Sequence, residues 1–363
     1  NAVYQISFAA LNLLFLAHLL YFKNYLVLSE ILKKTRFIAI CFLCLVVTLA
    51  ISNLLNEAAI SKKAWQSTLF FVLRYGTIFL ALCYFYKLKF FDQNAVFAFL
   101  FVGLGILSAS VIYQLVNSPD AIVFSSDSVR GGLSGSLSNR NILGLFMGFG
   151  LCLSAVAIRR PLALKFATLF LFAFFMIFSF SRAAWVGAFC ALAFYGALNL
   201  KSLNKKYLLF TVGFIALFAV LLALSPSFEQ RLAALFSGDS SGRTVIWSYI
   251  LEMAQQKPIL GYGLGSYINL PGSPVLEHPE YNAPHNLFLE ILLYSGALGL
   301  IFYGAILFGV FKECVQSRQF GVLTLLIYLL IDCQFDHGAY LSKETLSLAT
   351  ILSFLAYRMR IER

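Results

Sequence analysis

The first group of residues that could do chemistry is the sequence S-F-S-R-A-A-W at residues 179–185. Arg182 stands between two apolar runs with almost no linker, which predicts a tight helical hairpin with the arginine at its mouth. An arginine so close to hydrocarbon is costly unless it is paired or faces a wet cavity. The alternative is an interfacial arginine that snorkels beside Trp185. The residue alone leaves both interpretations open.

Arg243 is the second candidate, because it opens a predicted helix directly after Ser240-Ser241-Gly242. Free backbone N–H groups at a helix start attract anions, and a guanidinium adds a bidentate donor for phosphate oxygens. The alternative is a solvated charge just past an N-cap serine. A cation is disfavoured at a helix N-terminus, and that local conflict favours a binding function.

His285 and Glu290 form the third candidate, in the sequence P-H-N-L-F-L-E. His285 is predicted to lie where a long polar loop re-enters the membrane, and an imidazole can accept a proton near neutral pH. Glu290 follows inside an apolar run, and an intramembrane carboxylate is a functional candidate. The alternative for His285 is an interfacial residue with no role.

The composition shows what must position these residues. The chain has 363 residues, of which 60% are hydrophobic and 12% charged, whereas soluble domains have roughly 45–50% and about 25%. This composition predicts that much of the apolar surface faces a lipid bilayer, which is therefore an expected partner. The net charge of +11 comes from short clusters between apolar runs and forms no basic stripe, so nucleic-acid binding is not expected. The cysteines lie in or beside apolar runs and are expected to pack as small hydrophobes.

Apolar runs of about 20 residues predict membrane-spanning helices, and the chain offers about eleven. Lys and Arg concentrate in alternate connections, which the positive-inside rule assigns to the cytoplasm together with the C-terminus. Asn1 then falls on the outer side, so one more span is expected to precede it, giving about twelve. The predicted spans are 3–22, 37–55, 65–86, 94–116, 141–158, 162–180, 183–200, 207–225, 286–311, 320–335 and 344–358.

Three regions are predicted from this pattern. Residues 1–225 hold transmembrane helices and an outer Ser/Gly-rich loop at 117–140, residues 226–283 form a large outer loop with short amphipathic helices, and residues 284–363 return to the membrane. The sequence T-V-I-W-S-Y-I-L-E-M-A-Q-Q predicts a surface helix that Lys257-Pro258 ends. Its apolar face is expected to comprise Val245, Ile246, Tyr249, Ile250 and Met253. Phe228–Phe236 predicts another short helix.

Three motifs follow one another in order: S-x-S-R-A-x-W, then S-G-R-x-x-x-W with K-P-I-L-G-Y-G-x-G-S-Y, then H-N-L-F-L-E-x-x-x-x-x-G-x-x-G. Together they resemble the O-antigen ligase and polymerase superfamily, most strongly across residues 179–300. The resemblance implies an all-α integral membrane, polytopic helical bundle with a GT-C-like glycosyltransferase fold. It implies a multi-pass protein of the bacterial inner (cytoplasmic) membrane with its active site facing the periplasm. The implied donor is a glycan on undecaprenyl diphosphate.

The resemblance also implies roles for the candidate residues. Arg182 and Arg243 match the family's two arginines that hold the donor diphosphate, and His285 matches its essential histidine near the acceptor hydroxyl. The resemblance implies an inverting, metal-independent mechanism, and no cofactor is expected. Two guanidiniums can neutralise the leaving diphosphate, so that a metal is not needed for this step. The outer side also offers no acidic pair or histidine cluster to hold a metal.

Two weaker hypotheses concern neighbouring residues. Glu290 is a candidate helper of His285. Arg140 in S-N-R-N, with Asn139 and Asn141, could contact phosphate or sugar. Asp332, Asp336 and His337 cluster near an outer end, where they form either a cavity lining or a satisfied loop end, and no spacing rule supports more than the loop end.

The acceptor separates the functional alternatives. An O-antigen ligase would use a lipid A–core sugar, an O-antigen polymerase a second lipid-linked repeat unit, and a protein O-oligosaccharyltransferase a Ser or Thr hydroxyl. A non-catalytic lipid or glycan transporter belongs to another class. Transporters place polar residues at the midplane and show repeated halves, whereas here the polar residues gather at one face. The modest outer loop favours the ligase.

Overall fold

The computed structural model describes residues 2–56, 64–122, 132–137, 139–158, 161–199, 242–336, 340 and 342–362, together with scattered positions between 212 and 237. The predicted span 207–225 and the predicted short helix Phe228–Phe236 therefore lie largely outside the described residues. Throughout the described ranges the regular structure is helical and contains no strand. The predicted helical class is confirmed.

The helices in chain order are α1 Ala2–Phe22, α2 Tyr25–Lys34, α3 Arg36–Leu55, α4 Ala64–Phe71, α5 Ile78–Lys87, α6 Gln93–Asn117, α7 Arg140–Ala157, α8 Leu162–Phe178, α9 Arg182–Leu198, α10 Arg243–Gln256, α11 Leu287–Gln316, α12 Phe320–Asp332 and α13 Lys343–Glu362. A π-helical segment, Val72–Thr77, joins α4 to α5. Short 3-10 segments occur at Pro119–Ile122, Ser266–Asn269 and Pro274–Leu276.

Within the described ranges, five helical segments are long and apolar enough to cross a membrane: Arg36–Leu55, Ala64–Lys87, Gln93–Asn117, Arg140–Ala157 and Leu287–Gln316. Four shorter apolar helices, Ile6–Phe22, Leu162–Phe178, Arg182–Leu198 and Phe320–Asp332, correspond to further predicted spans. The chain is therefore a multi-pass membrane protein. The predicted span 344–358 is a helix, α13, but a much less apolar one than its neighbours.

The chain divides into two compact units. The first comprises residues 1–93, 242–322 and 337–363, and the second comprises residues 94–241 and 323–336. In the first unit α3 and α11 pack along each other, so closely that a Cβ at Gly309 would lie 2.8 Å from Ile38 Cγ2. The α13 helix packs on the π-helical segment, where the Tyr75 hydroxyl lies 3.0 Å from Ser353 Oγ.

Helix α11 is broken at Gly296, whose φ of 63° and ψ of −162° are not helical. Residues 258–263 run beside the break and form four backbone hydrogen bonds with it. The amides of Tyr262 and Gly263 donate to the carbonyls of Leu293 (2.8 Å) and Tyr294 (3.1 Å), and those of Ala297 and Leu298 donate to Pro258 (2.7 Å) and Ile259 (3.2 Å). We call residues 258–263 with 293–298 the bracket. It satisfies the groups that the break releases, as irregular backbone inside an apolar helix requires.

The bracket explains two glycines of the sequence motifs. A Cβ at Gly296 would lie 2.2 Å from the Ile259 carbonyl oxygen, and a Cβ at Gly261 would lie 2.5 Å from that of Leu293. Gly261 also has a positive φ of 67°. No side chain fits between two backbones at these distances, so glycine is required at both positions.

The second unit is organised around Tyr328 of α12. Its hydroxyl donates to the carbonyl oxygens of Leu145 (2.8 Å) and Gly144 (3.2 Å) in α7. A Cβ at Gly148 would lie 2.3 Å from the tyrosine oxygen, and one at Gly187 of α9 would lie 3.2 Å from the Tyr328 carbonyl oxygen. Small residues at helix contacts let the backbones approach closely. Both α7 and α9 are thereby fixed against α12.

Three segments that the charge pattern assigns to one side of the membrane do meet in the first unit. Lys34 Nζ and Lys87 Nζ lie 2.5 and 3.0 Å from Glu30 Oε1, and both amines donate to the carbonyl oxygen of Ile361, near the C-terminus. Hydrogen bonds from Lys34 and then Lys87 lower the pKa of Glu30 to about 2. These contacts agree with the predicted grouping of the basic connections.

We expect Gly296→Ala to destabilise the protein strongly. The substitution forces an L-residue into a backbone region that costs about 1–3 kcal/mol and also clashes with Ile259. Gly304→Ala on the same helix is the matched control, because a Cβ there meets nothing within 4 Å. Thermal unfolding in detergent should show a large drop in Tm for Gly296→Ala alone. Equal Tm values for the two variants would contradict the bracket.

Candidate active site

Arg182 is the first residue of α9 and lies in the tight hairpin that the sequence predicts. Ser181 is the N-cap, with its Oγ accepting from the Ala184 amide at 3.4 Å, and Phe180 before it has a positive φ of 54°. Arg182 is only 9% exposed, and so is Trp185, whose indole donates to the Met176 carbonyl oxygen at 3.1 Å. Both side chains are therefore packed inside the protein, which disfavours the alternative of a snorkelling interfacial pair.

Arg140 begins α7 at the same end of the second unit. A Cβ at Gly132 would lie 3.3 Å from Arg140 Cδ and 3.2 Å from the Ser179 carbonyl oxygen. A Cβ at Gly144, one turn into α7, would lie 2.5 Å from Ser181 Cβ. The structure therefore places the first turn of α7 directly against the turn that carries Arg182.

The two asparagines beside Arg140 have different surroundings. Asn139 is the N-cap of α7, and its Oδ1 accepts from the Asn141 amide at 2.8 Å. Asn139 is exposed and Asn141 is half-buried. The side-chain oxygen of Asn139 therefore caps α7, a structural role that the sequence did not predict.

Arg243 is the first residue of α10, as predicted, but the predicted serine N-cap is wrong. The N-cap is Gly242, with a left-handed φ of 78°. This positive φ favours glycine, and a Cβ there would also lie 2.2 Å from the Tyr281 ring. The start of α10 therefore packs on the loop residue Tyr281, and no side-chain oxygen caps it.

A second contact brings α10 close to His285. One turn after Arg243, the Trp247 indole donates to the Pro284 carbonyl oxygen at 3.2 Å. Residues four apart share one face of a helix, so Arg243 and Trp247 lie on the same side of α10. The structure thus brings the Arg243 end of α10 to the segment that immediately precedes His285, within the first unit.

His285 is half-buried and has a positive φ of 51°. Such a backbone is uncommon for a residue other than glycine and is held only where the surroundings enforce it. The residue after it, Asn286, is the N-cap of α11, with its Oδ1 accepting from the amides of Phe288 and Leu289 at 3.0 Å each. The Asn286 cap on one side and the hydrogen bond from Trp247 to Pro284 on the other fix the backbone of His285.

Glu290 lies in the first turn of α11 and is 2% exposed. Its Oε1 accepts from the backbone amide of Tyr340 at 3.1 Å. A carboxylate in the first turn also complements the helix dipole. Glu290 therefore links the start of α11 to the segment before α13, a structural partner that the sequence does not reveal.

Two tyrosines brace the loop that carries these residues. The Tyr249 hydroxyl donates to the Pro271 carbonyl oxygen at 3.1 Å, and the Tyr267 hydroxyl donates to that of Tyr281 at 3.0 Å. Burial, with a smaller contribution from Tyr249, raises the pKa of Tyr267 to about 12. The hydroxyl therefore remains a donor at neutral pH. Sequence reasoning missed Tyr267, although it ends the motif K-P-I-L-G-Y-G-x-G-S-Y.

The predicted apolar face of α10 is partly wrong. Ile246, Ile250 and Met253 are buried, but Val245 is 51% exposed. Each helical residue turns by about 100°, so Val245 lies a quarter-turn away from the Ile246 stripe.

Asp332 and Asp336 are buried at the end of α12, and His337 lies outside the described residues. Among the residues with described positions, no group of three His, Cys, Asp or Glu side chains could hold a metal ion. Five cysteines are buried and two half-buried, and none forms a disulfide.

A protein-family model matches the part of the chain that contains most of the candidate residues. Residues 167–304 match the family model described as O-antigen ligase. The matched stretch contains Arg182, Arg243, His285 and the bracket, whereas Arg140 precedes it. The predicted resemblance is confirmed.

Two curated relatives are similar to shorter stretches. A protein of Rickettsia conorii named "Putative polysaccharide ligase" is 30% identical over 97 residues, which is 24% of this chain and 24% of the relative. A Rickettsia felis protein with the same name is 33% identical over 88 residues, or 22% of each chain. The matched part spans about a quarter of the length of these relatives.

We expect Glu290→Leu to lower stability by about 1–3 kcal/mol, because it leaves the buried Tyr340 amide without its acceptor. Glu290→Gln retains the side-chain oxygen and should cost much less. Thermal unfolding in detergent measures both variants. A glutamine variant as unstable as the leucine variant would show that the carboxylate charge, and not the acceptor, matters.

Proposed function

We propose that the protein is an O-antigen ligase, an inverting, metal-independent glycosyltransferase. It moves an O-antigen glycan from undecaprenyl diphosphate to a lipid A–core sugar at the periplasmic face of the bacterial inner membrane. The observation that carries the proposal is that Arg182 and Arg243, both inside the stretch that matches the O-antigen ligase family model, are each the first residue of a helix.

The position of these arginines supports an anionic donor. A cation at a helix start is unfavourable by about 0.3–1 kcal/mol. A diphosphate reverses that sign, because it accepts from the guanidinium and from the free amides of the first turn at once. Burial of Arg182 strengthens the interaction, since charges attract more strongly when water is excluded.

The proposed reaction is a single displacement. The acceptor hydroxyl oxygen attacks the anomeric carbon of the first sugar, and the bond from that carbon to the diphosphate oxygen breaks with its electron pair. The growing negative charge on the diphosphate is stabilised by the two arginines. The hydroxyl proton passes to the His285 imidazole, which the loop and the Asn286 cap hold in place.

Secondary roles are proposed for the neighbouring residues. Arg140, whose helix starts beside the Arg182 turn, is a further contact for phosphate or sugar oxygens, with Asn141 beside it. Asn139 contributes through the helix cap. Glu290 helps to orient His285 through the first turn of α11, which it ties to Tyr340.

Transfer by the purified protein tests the proposal. The protein is mixed with undecaprenyl-diphosphate-linked glycan in excess chelator, with and without lipid A–core. Transfer only in the presence of lipid A–core is expected. Longer glycans on the carrier in its absence would make the protein a polymerase, and a glycosylated Ser or Thr acceptor would make it a protein glycosyltransferase. If the glycan never leaves its carrier in any arm, the transferase proposal is wrong.

We expect Arg182→Lys to lower kcat/KM for the donor by about 10²-fold or more, because a point ammonium cannot replace a bidentate fork aimed at the leaving group. Arg36→Lys is the matched control, since Arg36 also begins a helix but is exposed and belongs to the opposite set of basic residues. Kinetics at varied donor concentration measure both. Near-normal transfer by Arg182→Lys would argue against a direct diphosphate contact.

A further inference from the structure

The last turn of α3 contains three buried polar residues in an otherwise apolar helix. Ser52 and Asn53 are fully buried, and Asn56 is 6% exposed. Polar side chains inside a membrane helix are costly and are retained where they bond to a neighbouring element. The hydrogen-bond partners of these three side chains therefore indicate the role of this turn.

Asn53 uses both ends of its amide. Its Oδ1 accepts from the backbone amide of Leu264 at 2.7 Å, and its Nδ2 donates to Thr68 Oγ1 at 3.0 Å. Leu264 follows the bracket directly and is itself fully buried. Asn53 thus ties the loop after the bracket to α3 and, through Thr68, to α4.

The two other polar residues bind the bracket itself. Asn56 Nδ2 donates to the Gly261 carbonyl oxygen at 3.2 Å, and Asn56 Oδ1 accepts from Lys257 Nζ. Ser52 Oγ donates to the Tyr294 carbonyl oxygen at 3.0 Å. These two side chains therefore contact both segments of the bracket, Asn56 at residues 258–263 and Ser52 at residues 293–298.

The bracket connects this turn to the candidate active site. Lys257 is the C-cap of α10, which begins at Arg243. Residues 293–298 belong to α11, which begins two residues after His285. The α3 turn therefore fixes the distal end of α10 and the broken part of α11 at the same point, so that the two helices can present Arg243 and His285 in a constant register.

We propose that Asn53 is a positioning residue for the transfer reaction. It fixes the loop that follows α10 and thereby keeps Arg243 and His285 in register. The inference rests on the proposed function. Asn53 is proposed to act without touching substrate. It acts on the positions of Arg243 and His285 through the Leu264 amide and the bracket. Small displacements of catalytic groups are costly, at about 10²-fold in rate for 1 Å.

Asn53→Leu is the principal test, because leucine is similar in size and makes neither bond. Hydrogen exchange at residues 257–267 should become at least tenfold faster, and kcat should fall about tenfold or more, with a smaller change in donor KM. Thr68→Val removes only the second bond and should retain most of the wild-type exchange protection and kcat.

Thr48→Val is the matched control. Thr48 is buried on the same helix, but its hydroxyl donates to the Cys44 carbonyl oxygen within α3 at 2.8 Å. This variant should leave both exchange and kcat unchanged. Equal effects in Thr48→Val and Asn53→Leu would overturn the inference, because any loss would then reflect a general weakening of α3.

Two further results separate this inference from the proposed function. If the wild type transfers glycan and Asn53→Leu does so with an unchanged kcat, the positioning role is wrong and the function stands. If the wild type transfers nothing, the proposed function and the catalytic purpose of Asn53 both fail. The exchange measurement then still decides whether Asn53 holds the loop.

Discussion

The first unit depends on four backbone hydrogen bonds between residues 258–263 and the broken helix α11. An apolar helix leaves no water to satisfy a released amide or carbonyl, so a break persists only where another backbone replaces the lost bonds. The loop does so here, and in return its own irregular backbone is satisfied. Gly261 and Gly296 are the sequence condition for this exchange, and the α3 turn supplies the side chains that support it.

Each unit contains residues whose conformation or charge is locally unfavourable. Arg140, Arg182 and Arg243 each begin a helix, against the helix dipole, and His285 has a left-handed backbone. Natural sequences conflict with local preference mostly at functional sites. In each unit, packing holds these residues in place. In the second unit, Tyr328 packs against Gly148 and Gly187 and fixes α7 and α9. In the first unit, the bracket and Trp247 fix α10 and α11.

Hydropathy and charge predicted the helical membrane class, most spans and the limits of α10, because these depend on local composition. The sequence could not predict the bracket, since it joins residues more than thirty positions apart through backbone groups that carry no side-chain signal. The same limit hid the Glu290 bond to Tyr340 and the Tyr267 brace. The glycine spacing in K-P-I-L-G-Y-G was a visible signal, but without the partner helix it could not show which backbone the glycines approach. The serine cap was wrong because the chain enters α10 through a left-handed backbone at Gly242, a conformation that favours glycine.

In the proposed function, Arg182 and Arg243 bind the donor diphosphate. Photolabelling tests this most directly, with the purified protein and an undecaprenyl diphosphate analogue that carries its reactive group beside the diphosphate. Label is expected on peptides that contain Arg182 and on those that contain Arg243 or His285, with loss of label when unmodified donor is added in excess. Competable label confined to the opposite basic connections, around Lys34 and Lys87, would contradict it.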